Sequence, residues 1–137
     1  MEMNINDWQK WADNSLPLYS GIDNGGKIAF SIDGVEDKLV VFTKNEDSIS
    51  ANLLTNLDDT EIDDKIADLV FEIKPMDVED IISEDTFSMF LQLNVLNKIK
   101  IYPLVDVKTL SKKGYEAFLS KIGANIANSS NCGCCCC

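Results

Sequence analysis

Between residues 27 and 54 lie three successive strand-like runs, and the first and third alternate with a period of two that suits strands and no helix. "KIAFSI" places Ile28, Phe30 and Ile32 on one face. "KLVVFT" puts Leu39, Val41 and Thr43 on one side and Val40 and Phe42 on the other, and "SISANLL" alternates Ile49, Ala51 and Leu53. The polar stretches between them, "DGVED" and "KNED", are short, which predicts an antiparallel meander.

Helical spacing flanks the meander. Ile5, Trp8 and Ala12, with Trp11 beside them, share one face of a short N-terminal helix that Asn4 is placed to cap. After the meander, Ile62, Ile66, Leu69, Val70 and Ile73 form one stripe of a helix that ends at Pro75. Thr60 and Asp63 have the spacing of a capping box at its start, with Asp in place of the preferred Glu. "MDVEDII" and "TFSMFLQL" read as a hairpin across "SEDT", the second run alternating through Phe87, Met89, Leu91 and Leu93. A last helix is signalled by Val107, Leu110, Gly114, Ala117, Phe118 and Ile122, with Pro103 at its beginning or at a kink near it. The expected order is α-β-β-β-α-β-β-α, an α+β domain on an antiparallel sheet of about five strands. Residues 1–127 are expected to form that one domain, and 128–137 a flexible, disordered Cys-rich tail.

The chain has 137 residues, 45% of them apolar, enough for one domain with a real core. Its 23 acidic residues face 12 basic ones, all lysine, and histidine is absent. Nucleic-acid binding, which rests on clustered Arg and Lys, is not expected. Imidazole catalysis and imidazole metal sites are excluded. Residues 1–85 carry a net charge of −15 and residues 86–137 a net +4. Either these carboxylates are a solvated face, or they steer a partner with a basic surface toward the N-terminal part. "MEMNINDWQKWADN" lacks the basic start and apolar stretch of a signal peptide, and no apolar run reaches the ~20 residues of a membrane helix. A cytoplasmic protein without a transmembrane segment is expected.

Enzyme motifs do not emerge. "GIDNGG" lacks the lysine–hydroxyl ending of a phosphate-binding loop, and neither serine nor cysteine has a histidine to activate it. The acids Asp58, Asp59, Glu61, Asp63 and Asp64 lack the glycine of a calcium loop and are accounted for by the start of a helix. Trp8 and Trp11 either cover the sheet, the commoner fate of large apolar residues, or face outward as a partner-binding patch. No catalytic residue and no bound cofactor are expected.

Residues 1–131 contain no cysteine, and the chain then ends "SSNCGCCCC". Cys132, Cys134, Cys135, Cys136 and Cys137 are candidate ligands for a soft ion such as Zn²⁺ or Cu⁺, in a site shared between chains because adjacent thiolates close a tetrahedron poorly. S-acylation and modification or ligation by a partner enzyme are alternatives, as is an incidental tail. "CCCC" is a poor prenylation box.

The element order and acidity resemble the type III secretion chaperone and YbjN-like fold group. From residue 47 onward, "ANLL" before an acidic turn, "VFEIKPMDVEDI" and "EDTFSMFLQL" are similar to the YjfI-like family of uncharacterised bacterial proteins. That family shows a basic or histidine residue just before the proline that follows its central helix; here Glu72 and Lys74 flank Ile73 and histidine is absent. The resemblance implies no catalytic residues. It implies an accessory role in envelope stress, beside PspA-type proteins, with membrane association through a partner. Together these features lead to a non-enzymatic acidic adaptor or chaperone-like protein, a homodimer binding a protein through a basic or apolar surface. The alternative is a carrier or precursor whose cysteine tail is modified or metallated.

Overall fold

The computed structural model describes residues 4–58, 62–83 and 87–123. Its elements are α1 (Ile5–Asn14), a 3-10 turn (Leu16–Tyr19), β1 (Lys27–Ile32), β2 (Val35–Asn45), β3 (Ser48–Leu54), β4 (Leu69–Ile73), α2 (Pro75–Ile82), α3 (Ser88–Val95), β5 (Lys100–Pro103), α4 (Val107–Lys112) and α5 (Tyr115–Lys121). The class is α+β, with five strands in the order β3-β2-β1-β4-β5. The Cys-rich tail, with Cys132, Cys134, Cys135, Cys136 and Cys137, lies outside the described residues.

The meander forms where the alternation places it, and Asn4 caps α1, its Oδ1 accepting the Asn6 N–H at 3.0 Å. The later elements differ from expectation. The apolar stripe that predicts a helix over 62–73 ends instead in β4, which runs parallel to β1 and makes the sheet mixed rather than wholly antiparallel. Leu69, Phe71 and Ile73 enter the main core while Val70 is buried on the opposite face. A strand buried on both faces loses its alternation and fits either period. The expected hairpin is two helices. Pro75, read as a helix stop, occupies the first turn of α2, where its missing N–H costs nothing. Phe90, Leu93 and Asn94 are the buried stripe of α3. The fifth strand is β5, and Gly114, at φ +86°, divides the last helix into α4 and α5.

All five helices contribute to the layer on one face of the sheet. Between layer and sheet lies an aromatic core: Phe30 and Phe42 have ring centroids 4.7 Å apart, Trp11 and Phe90 5.2 Å, and Tyr19 stacks on Phe118 at 5.3 Å. On the other face the connection from β3 to β4 lays Leu57, Ile62 and Ile66 over Ala29, Leu39, Val41 and Val70. Among the described residues that connection covers part of the outer face and leaves the rest open.

Each edge of the sheet carries a group that hinders a further strand. At β3 the Gln9 side chain donates from Nε2 to the Ile49 carbonyl at 2.7 Å and accepts the Ala51 N–H at 2.8 Å, the two bonds a neighbouring strand would make. At β5 the Leu104 N–H donates to the Asp68 carbonyl, so by alternation Tyr102 and Lys100 also turn toward β4. Pro103, without an N–H, faces the free side, which suits an edge. Gln9→Ala is expected to lose about 1–2 kcal/mol of stability, because two part-buried backbone groups lose their partner. It should also associate at high concentration through the opened β3 edge. Urea unfolding together with sedimentation velocity checks both effects.

Candidate functional site

The open part of the outer face is a cleft of about 330 Å³ between the β1–β2 turn, the β3–β4 connection and β5. Strand register builds it in two rows. Ala29 of β1 pairs with Val70 of β4, which pairs with Tyr102 of β5. One step along, Ser31 pairs with Glu72 and Glu72 with Lys100. Alternation sends all six side chains to the same face, so an apolar row runs beside a polar one. Leu39 and Val70 floor the cleft, Ile62, Leu104 and the 45%-exposed Tyr102 wall it, and Ser31, Glu72 and Asp33 supply its polar groups.

The polar row continues into a smaller hollow lined by Asp33, Glu72, Ile73, Lys74, Lys98 and Lys100. Glu72 and Lys100 approach to 3.9 Å with the lysine exposed and the carboxylate partly so, a contact worth little in stability and free to exchange for a ligand's charge. Such a cleft can take an apolar group and hold a polar end against either sign of charge.

A second convergence of polar groups is structural. Asp68, nearly fully buried at the start of β4, receives the Lys113 Nζ at 2.7 Å, the Tyr115 hydroxyl at 2.7 Å and the Lys27 backbone N–H at 3.1 Å. Burial pushes the Tyr115 phenol well above its ordinary value, and its hydrogen bond to Asp68 adds to the rise. These contacts tie β1, β4 and the start of α5 together, and every member is satisfied from within the fold.

The residues singled out from sequence fall elsewhere. Trp8 and Trp11 are each 1% exposed, packed on Phe30 and Phe42. The partner-binding patch is therefore corrected to core: α1 presses both indoles onto the sheet, and neither reaches a partner. Of the acidic cluster, Asp59 and Glu61 lie outside the described residues; Asp63 accepts the Lys65 N–H in a local turn. Among the described residues no group of three acids or other ligating side chains could hold a metal ion, and no helix is long and apolar enough to cross a membrane. The outer cleft has no compact motif. Its lining comes from four separate segments, and the signal for it was the polar pair Ser31 and Glu72 inside otherwise apolar strands.

No family model matches the chain, and no curated protein matches it. Among solved structures it is similar to one described as "UbiJ-SCP2 Ubiquinone synthesis protein", with a TM-score of 0.45 and 8% identity over 86% of this chain and 90% of that one. A likeness of that size carries no functional argument.

Proposed function

We propose that the folded part is a non-enzymatic recognition module, an adaptor that seats a segment of a partner protein in the outer cleft. One observation carries this reading: the uncovered part of the outer face pairs an apolar row with a polar row around about 330 Å³ of open space. An apolar side chain of the partner would lie on Val70 and Tyr102, and its flanking polar groups would meet Ser31, Glu72 and Lys100. The net −15 of residues 1–85 favours a partner with a basic surface and gives the association a salt dependence. The resemblance to the YjfI-like family would draw that partner from the envelope-stress machinery. A cytoplasmic homodimer belongs to the same proposal and would form away from the sheet edges, where Gln9 and Pro103 hinder pairing.

Capture from a native-host lysate, with wild type and the Tyr102→Ala and Lys100→Glu variants compared at low and high salt, tests the proposal. Proteins held by wild type are expected to be lost from Tyr102→Ala, and those held at low salt to fall away as salt rises. An identical set held by all three forms would move the interaction off this cleft.

The second reading, a carrier whose tail is modified or metallated, is favoured by the confinement of every cysteine to the last six positions. Added mass on the intact protein from its native host supports it. An unmodified, metal-free chain removes it.

A further inference from the structure

A charged residue sits in the inner layer of the sheet, where only apolar side chains would be expected. Val40, Phe42 and Lys44 follow one another on the inner face of β2, and the first two are core. Lys44 is 6% exposed. Its Nζ donates to the carbonyls of Ile22 and Glu46, both at 3.3 Å, longer than the usual ~2.7–3.2 Å of such bonds. Among the described residues the ion pairs are Lys100–Glu72 and Lys113–Asp68, so no carboxylate lies within 4.0 Å of Lys44. An ammonium has three donors, and two long bonds to neutral carbonyls leave one of them for a group in the cleft.

Lys44 lines a cleft of about 350 Å³ at the end of the helix layer, with Leu16, Pro17 and Ser20 on one wall and the exposed Glu46 and Asp47 on the other. Lys121 braces the first wall, its Nζ donating to Ser20 Oγ at 2.9 Å and to the Pro17 carbonyl at 3.3 Å. The volume is at the small end of ligand pockets, which run from about 300 Å³ upward. A simple anion would gain from Lys44 but be repelled by Glu46 and Asp47. A simple amine would gain from the two acids but meet Lys44. A small zwitterion satisfies both and has an apolar wall for its side group.

We propose that this cleft binds a free α-amino acid with an apolar side chain. Its carboxylate completes the coordination of Lys44, its ammonium faces Glu46 and Asp47, and its side chain lies on Leu16 and Pro17. The site is on the opposite layer from the outer cleft and does not rest on the adaptor reading.

Calorimetric titration of the full chain with L-leucine, 4-methylpentanoate and 3-methylbutylamine tests it. L-leucine is expected to bind, and each analogue, lacking one charge, to bind about tenfold more weakly or worse, the scale of one charged hydrogen bond. Lys44→Met should abolish leucine binding. Because that variant disturbs a buried position, a Glu46→Gln/Asp47→Asn double variant, changed only at exposed side chains, serves beside it. It should weaken L-leucine about tenfold and leave 4-methylpentanoate no weaker. Absence of leucine binding to wild type overturns the proposal, as does 4-methylpentanoate binding as tightly as leucine, or leucine binding unchanged in the double variant.

Discussion

Gly114→Ala is expected to remove about 2–5 kcal/mol of stability, a large share of the ~5–15 kcal/mol that keeps a domain folded. Two costs add at this position. Gly114 caps α5 with φ +86°, a left-handed conformation that costs an alanine about 1–2 kcal/mol. The new Cβ would also fall on the carbonyl oxygen of Gly21, and that obstacle is backbone, which no rotamer change can clear. The two chain segments are already fastened there, since the Asp23 N–H donates to the Lys113 carbonyl at 2.8 Å. Moving them apart would cost about 1–3 kcal/mol of packing. Gly34→Ala separates the two terms: its φ is +87°, and nothing lies within 4 Å of the added atom. That variant should lose about 1–2 kcal/mol only. Urea unfolding of both variants gives the comparison, and equal losses would mean that the α4–α5 junction can shift to accept a side chain.

Sequence legibility followed burial geometry. β1, β2 and β3 could be read because they are contiguous and joined by short turns, so each run predicted its neighbour's pairing. β4 could not, because Val70 is buried between Leu69 and Phe71 on the far face, and a continuous apolar run holds no period. Reading Leu69–Ile73 as helix then made Pro75 a stop and pushed the next two helices into a false hairpin. The outer cleft was lost with it, since Glu72 pairs with Ser31 and Lys100 only if 69–73 and 100–103 are strands. Lys44 was legible in principle: it continues the face of Val40 and Phe42, and a lysine there marks either the end of the core or a site. The Asp68 contacts, which join residues 27, 68, 113 and 115, had no local signal at all.

Trp11→Ala is expected to cost about 3–5 kcal/mol, the range of other buried large-aromatic truncations. The indole has ring neighbours on four sides, with centroids at 5.2 Å for Phe90, 5.8 Å for Phe30 and Phe42, and 6.3 Å for Trp8. Helix α1 and strands β1 and β2 meet on it, as does α3 through Phe90, so the hole left by an alanine has walls from separate elements and closes poorly. One feature works against the indole: Trp11 Nε1 is buried with no hydrogen-bond partner among the described residues, as is that of Trp8. A donor left in that state is itself destabilising, so Trp11→Phe removes a cost along with some packing and should lose far less than Trp11→Ala. Equilibrium unfolding in urea reads both variants against wild type. A loss under about 1 kcal/mol for the alanine variant would place the indole outside the core and reopen α1 as a partner surface. A phenylalanine variant as damaged as the alanine one would instead mean that the indole N–H has found a partner in solution, a buried water being the simplest.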